Sequence, residues 1–283
     1  MAIELNHITK RFGETTALED ISVTFGENRI YGLLGRNGAG KTTLLGLITN
    51  RIFPTEGQVL VDGEPVREND RALGRIFCMS EKDYYPDGMS IKDLFRWTRY
   101  FYPCFRQERA QALAKKFGLE LKGKYKDLST GYRSICKLIL AMSSGADYLL
   151  FDEPVLGLDA HHRELFYREL LADYGDEPRT ILLSTHLIDE VAGVVEQLVV
   201  LKKGRLQLDC PTDEALRMGY TVSGKAVDVD RYCQGRQVLG MEQIGGLKTA
   251  SLYGERQEIP PELECSPLEL QRLFVKLTGE ETE

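Results

Sequence analysis

GRNGAGKT, residues 35–42, decides how this chain is read. It matches the phosphate-binding pattern G-x-x-x-x-G-K-[ST], and its surroundings make the match specific. A short apolar run, IYGLL (30–34), enters it as a buried strand would, and TTLLGLITNRI leaves it with helical spacing that stops before Pro54. In that setting backbone N–H groups and a helix N-terminus converge on one anion. Gly35, Gly38 and Gly40 let the backbone wrap closely around phosphate, and Asn37, Ala39 and Thr43 complete the loop. Lys41 is placed to reach the β- and γ-phosphates and Thr42 to hold Mg2+. An ordinary glycine-rich strand–helix turn is the alternative.

Outward from the loop, AIELNHI and ALEDISVTF alternate apolar and polar residues around a turn at Gly13, and QVLVDGEPV reads as a second hairpin turning at Asp62-Gly63. From about Ser80 to Gly145 the texture is helical, with apolar residues three and four apart in IKDLFRWTRYFY and RQERAQALAKKF. Strand–helix alternation returns with DYLLFDEP, a helix from Asp159 to Tyr174, TILLSTH, a further helix and QLVVLKKGRLQLD. It predicts a parallel sheet covered on both faces. Near Met218 the character shifts to a small βαββα-like unit: YTVSG, a helix in VDVDRYCQG, strands QVLGMEQI and LKTASLYGE, and a final helix LELQRLFVKLTG.

Composition narrows the class. The 283 residues suffice for one medium domain and a small second one, and 42% hydrophobic with 28% charged residues is ordinary for a globular chain. A formal charge of −7 does not favour nucleic acid as a partner. No apolar run approaches the roughly 18–20 residues that cross a bilayer, and MAIELNH lacks the basic-then-apolar pattern of an export signal. The six cysteines, without a CxxC pair, read as reduced thiols, and His161-His162 as solvated surface on a helix.

Two further strand ends carry chemistry. YLLFDE ends in Asp152, suited to a Mg2+ through water, and Glu153, placed to orient or deprotonate an attacking water. His186 follows the apolar strand in LLSTH and can donate to a γ-phosphate. Strand ends on one edge of an open α/β sheet converge on one crevice, which brings these residues to the phosphate loop.

Taken in order, GRNGAGKT, YLLFDEP, LGLD and STH resemble the ATP-binding subunit of a bacterial ABC transporter, over about residues 2 to 215. The resemblance implies an α/β P-loop NTPase core of ABC ATPase type with an antiparallel β subdomain, a helical subdomain at about 81–145 and a small α+β C-terminal domain. The ATPase domain would span 1–217 and the C-terminal one 218–283. It also implies ATP and Mg2+ as cofactors, with Phe12 stacking on adenine and Asp159 in the loop linking two active sites of a dimer. Capping of a helix is the simpler role for Asp159.

LSTGYRS (128–134) stands where the family carries Leu-Ser-Gly-Gly-Gln. Ser129 and Gly131 are retained, at a helix N-terminus that another subunit's γ-phosphate would meet; Thr130 and Tyr132 depart. It reads as a modified but usable half-site, a worn-out one being the alternative. Glu81, in FCMSEKDYY, falls where the family has a glutamine that senses Mg2+ and water. A carboxylate can approach the metal but cannot donate an amide N–H, and a third acid can raise a neighbour's pKa. Glu81 is thus expected to touch both catalysis and metal. The resemblance implies a subunit that hydrolyses ATP to power a separate membrane permease, most like export systems, as a homodimer or heterodimer. It would sit in the cytoplasm on the inner face of the membrane. A soluble ABC ATPase, or a nucleotide-dependent regulatory partner, is the alternative.

Overall fold

The computed structural model describes residues 1–86 and 88–279. In chain order the first strands are β1 (Ala2–Phe12), β2 (Thr15–Gly26) and β3 (Ile30–Leu34), and the phosphate loop leads into α1 (Lys41–Ile48). β4 (Glu56–Val61), β5 (Glu64–Pro65), α2 (Asp70–Leu73) and β6 (Ile76–Met79) follow. The helical stretch holds α3 (Ile91–Phe101), α4 (Gln107–Lys116), a 3-10 turn at Tyr125–Asp127 and α5 (Thr130–Ser143). Then come β7 (Tyr148–Asp152), α6 (Ala160–Asp176), β8 (Thr180–Thr185), α7 (Ile188–Val191), β9 (Gln197–Lys202), β10 (Arg205–Pro211) and α8 (Thr212–Met218). The last part is β11 (Gly219–Lys225), α9 (Ala226–Cys233), β12 (Val238–Ile244), β13 (Leu247–Tyr253), β14 (Glu264–Pro267) and α10 (Leu270–Thr278).

The central sheet runs β10-β9-β3-β8-β7-β6, parallel from β9 to β6, with β10 antiparallel at one edge. Its middle strands, β3, β8 and β7, are buried along their whole length and mostly apolar because both faces are covered. The period of two shows in their partners: Tyr31, Leu33, Tyr148, Leu150 and Leu182 face one core, and Leu34, Leu149, Phe151 and Leu183 face the other. The first core lies beneath α1 and the antiparallel sheet β2-β1-β4-β5; the second lies against α3, α4, α5 and α6.

A third sheet, β12-β13-β11-β14, encloses a small core of its own around Tyr220, Val222 and Leu252. It has one strand more than the expected βαββα pattern. β14 is only four residues and lacks an apolar–polar alternation, so its pairing with β11 supplies the order that its sequence does not. α10 does not stay with this sheet's core. Leu270, Leu273 and Phe274 belong to the second core of the main body, and Lys202 Nζ closes the helix end by donating to the carbonyls of Leu277 (3.2 Å) and Gly279 (2.7 Å).

Because Leu273 is 1% exposed, Leu273→Ala should cost roughly 2–5 kcal/mol. The chain's one tryptophan, Trp97 on α3, reports the main body. A urea unfolding curve followed by its fluorescence should move to lower urea in the variant. An unmoved transition would mean α10 contributes nothing to that core.

Candidate functional site

The parallel register assembles the site. Leu34 pairs with Thr185 and Asp152 with Ser184, so the phosphate loop, Asp152-Glu153 and His186 leave the same sheet edge, with Glu81 beyond β6 on the other side of β7. All of these but Asp152, which lies deeper, line a cavity of about 460 Å³ bounded by Ala17, Arg36 to Thr43, Glu81, Glu153, Leu156 and His186. The convergence expected of separate strand ends is present.

The loop's glycines are required by close approach. A Cβ at Gly35 would stand 2.8 Å from Ala39 Cβ and 2.9 Å from the Leu201 carbonyl oxygen. Gly40, at φ +108°, would meet Leu18 Cδ2 at 2.6 Å. The buried Lys41 turns back to donate to the Gly35 carbonyl at 2.6 Å, and its Nζ lies 3.8 Å from Glu153 Oε1. Burial lowers the Lys41 pKa, while Glu153 and Asp152 pull it the other way.

Glu153 sits at the centre. Its other oxygen is 2.9 Å from His186 Nδ1 and accepts from Thr185 Oγ1 at 3.3 Å. Its backbone has φ +50°, in the left-handed region that a glutamate adopts at a cost, and its N–H is held by the Ser184 carbonyl at 2.8 Å. This strained turn lifts the side chain off the end of β7 and into the cavity, where it remains only 12% exposed.

Asp152 lies deeper. Its Oδ1 accepts from Ser184 Oγ at 3.1 Å and stands 3.5 Å from Thr42 Oγ1. Burial raises its pKa; the bonds from Ser184 and Thr42 oppose this, and the charges of Glu153 and Glu81 add to it. Burial is the largest cause of this shift and the charge of Glu81 the smallest. Among the described residues no group of three or more His, Cys, Asp or Glu is arranged to hold a metal ion. The Thr42 hydroxyl and Asp152 carboxylate instead form a hard, two-donor oxygen set, which fits a Mg2+ that keeps waters and substrate phosphate oxygens as its other ligands.

Ser129, Gly131 and Phe12 do not line this cavity. Phe12 is 49% exposed at the end of β1, its ring carrying the Lys10 ammonium at 4.8 Å. Ser129 is exposed and caps α5, its Oγ accepting from the Tyr132 N–H at 3.4 Å, which leaves its own proton free to donate. Gly131 has a reason within the chain: a Cβ there would stand 2.8 Å from the Gly157 carbonyl oxygen. Thr130 lies on the same contact, its Cγ2 3.4 Å from where a Cβ on Gly157 would be. Asp159 caps α6 through the His162 N–H at 2.9 Å, the simpler of its two expected roles.

The expectation for His162 is corrected. It is only 20% exposed, 3.0 Å from the Asp159 carboxylate, stacked on Phe117 and set edge-on to Tyr132. His161, its neighbour, is exposed. Sequence reading also missed Thr185 and Ser184, which hold the two acids, and Lys137. No helical period marks Lys137: it lies roughly 150° around α5 from the stripe Ile135, Leu138, Ile139 and Met142, where a lysine is ordinarily solvated. A second cavity, of about 570 Å³, adjoins the first through Arg36 to Ala39 and His186 and has Phe274 and Thr278 of α10 on its far wall.

A buried lysine and paired acids at the mouth of a glycine-rich strand–helix loop define a P-loop ATPase. Residues 18–156 match the ABC transporter family model. The chain is 30% identical over 228 residues to the ABC transporter ATP-binding protein YtrB of Bacillus subtilis (strain 168), covering 81% of this chain and 78% of that protein. It is 33% identical over 209 residues to the Nod factor export ATP-binding protein I of Cupriavidus pinatubonensis (strain JMP 134 / LMG 1197), covering 72% and 64%. The fold matches that of MJ0796, a bacterial ABC transporter cassette solved as a dimer, with a TM-score of 0.66 at 23% identity over 74% of this chain and 98% of that one. The chain belongs to the ABC transporter ATP-binding proteins, a family of ATPases.

A carboxyl whose folded pKa is raised leaves stability untouched below its unfolded value and costs stability as pH rises through the folded one. Asp152→Asn removes that cost while keeping an acceptor for Ser184. In nucleotide-free, metal-free protein at pH 7.5 its Tm should rise by about 2–4 °C, with the gap narrowing as pH falls towards the ordinary carboxyl range. Calorimetry across pH checks this; a lower Tm at every pH would show that the charge is net stabilising. Hydrolysis should be lost in the same variant.

Proposed function

We propose that this chain is the ATP-hydrolysing subunit of an export system whose membrane-spanning permease is a separate chain. The observation that carries the catalytic part is Glu153 standing between Lys41 and His186 at the mouth of the phosphate loop. On this reading the loop N–H groups and Lys41 hold the β- and γ-phosphates, Lys41 exchanging its bond to Gly35 for phosphate oxygens. Thr42 and Asp152 would hold a Mg2+, and Glu81 lines the same cavity. Such an ion, when bound, would supply neutralisation of phosphate charge. Glu153 accepts from the attacking water and takes its proton, His186 donates to the γ-phosphate, and the bond to ADP breaks as inorganic phosphate leaves.

Ser129 and Gly131 lie away from this cavity in their own chain. We read the Ser129 segment as completing a second subunit's site, so that two chains enclose two nucleotides, with Phe12 beneath adenine and Asp159 at the junction. Two identical chains are the simplest arrangement, and a different ATPase partner is the other.

The permease is inferred from a surface as well as from family. No helix among the described residues is long and apolar enough to cross a membrane. Trp97, Tyr100 and Phe101 are 44%, 74% and 67% exposed on α3, beside a groove of about 290 Å³ walled by Phe77, Tyr85, Pro86, Met89, Leu94 and Tyr102. An exposed aromatic patch of this kind marks a protein contact. The segment from Glu81 to Pro86 borders the ATP cavity at one end and this groove at the other, which would let a docked permease feel the site. Export follows the name of the Nod factor relative. The place of work is then the cytoplasmic face of the membrane, and nucleic acid is not expected as a partner.

The test is the ATPase rate of the purified chain against its own concentration. A rate rising faster than linearly, and lost by at least about tenfold in Ser129→Ala, is expected for a site completed in trans. A strictly proportional rate in both proteins would remove the paired-site reading. Separately, Tyr100→Glu with Phe101→Glu should leave basal hydrolysis within about twofold and abolish co-purification with a polytopic membrane protein. Retained co-purification would place the permease elsewhere.

A further inference from the structure

Lys137 is a cation buried in the middle of α5, 6% exposed among apolar neighbours and outside the cavity. An ammonium has three protons, and here three acceptors meet it: the Ser80 carbonyl at 3.0 Å, the Glu81 carbonyl at 2.9 Å and Asp83 Oδ1 at 3.1 Å. All three lie on the segment that follows β6. Asp83 is held in turn. Tyr125 donates to its Oδ1 at 2.7 Å, and Arg133 Nη1 to its Oδ2 at 3.2 Å. Arg133 also donates through Nε to the Leu128 carbonyl, directly before Ser129. Burial pushes the Asp83 carboxyl up, but the bonds from Tyr125 and Lys137, the lysine's charge and Arg133 outweigh it and leave it below its usual range.

A buried ammonium is costly unless fully partnered, and an apolar residue would pack α5 as well. Its presence there calls for a task. We infer that Lys137 is a positioning residue: it fastens the Glu81 segment to the helix capped by Ser129, so that Glu81 faces the phosphate loop only while α5 holds it there. This rests on the reading of Glu81 as a site residue. It adds that the acid's place is set by a lysine from another element. Movement of α5 then carries Glu81 with it. The two ends of the tie belong to different reaction centres, because Ser129 is read as serving the partner's nucleotide and Glu81 its own.

Two measurements test the tie, one without turnover. Hydrogen exchange in nucleotide-free protein should show amides 81–85 exchanging more than about tenfold faster in Lys137→Met, with α1 and α6 unchanged. The second is a double-mutant cycle on kcat. Lys137→Met and Glu81→Ala should each lower kcat by about 10–100-fold with the KM for ATP within about threefold, and the pair should fall short of the product by more than about fivefold. Unchanged exchange overturns the tie directly. Multiplicative losses overturn it while leaving Glu81 in the site. A Glu81→Ala protein that hydrolyses at the wild-type rate overturns the reading of Glu81 and the catalytic purpose of the tie together, whatever the exchange shows. Should Lys137→Met fail to fold, Lys137→Arg, which keeps the charge on a longer planar group, goes through the same cycle and must show the same shortfall with Glu81→Ala.

Discussion

The pairing of Asp152 with Ser184 and of Leu34 with Thr185 is the constraint on which the rest depends. In a parallel sheet every strand ends at the same edge, so one register delivers a phosphate loop, two acids and a histidine to one place without any of them being near another in sequence. β8 lies between β3 and β7. That order is why Ser184 and Thr185 can hold the acids from the side while His186 reaches Glu153 from above. A slip of one residue in β8 would turn Ser184 to the opposite face and break both contacts.

This edge is electrostatically poor ground for folding. Asp152, Glu153 and Glu81 share a small volume with one buried lysine, and the deepest acid has its pKa raised by burial. Glu153 adds backbone strain at φ +50°. The apolar strands beneath offset these costs, since the central sheet is covered on both faces. A site built to meet phosphate and metal is disfavoured in their absence, and ligands that supply positive charge to the acids and negative charge to Lys41 should tighten the fold.

How much was legible follows from distance along the chain. The phosphate loop is contiguous, and its glycines declare themselves because a Cβ at Gly35 or Gly40 would collide with fixed atoms. Asp152, Glu153 and His186 were legible because strand ends are marked by the close of an apolar run. The two hairpins and the helical stretch followed from period. β14 was not legible, since four residues with no alternation depend on a partner strand 45 positions away. His162 was misread because its surroundings come from Phe117 and Tyr132 on other helices. Lys137 lies away from the apolar stripe of α5 and reads as a solvated lysine, because its acceptors lie 56 and 57 residues earlier. Periodicity says which face is inside and not what waits there.

The departures in LSTGYRS take on a different meaning once α5 is seen as a bar with contacts along its length. Thr130 and Gly131 meet Gly157, so the start of the helix touches the loop that carries Asp159. Tyr132 meets the histidine that holds Asp159. Arg133 and Lys137 meet Asp83, and Lys137 holds the Glu81 carbonyl. A branched residue at 130 would crowd a phosphate if closeness to phosphate were the only demand. Gly157 leaves that branch room, since a Cβ there would come within 3.4 Å of the Thr130 methyl, while Ser129 keeps its proton free. The substitutions therefore do not read as decay. Decay removes contacts, and here the Tyr132 ring makes one, edge-on to His162.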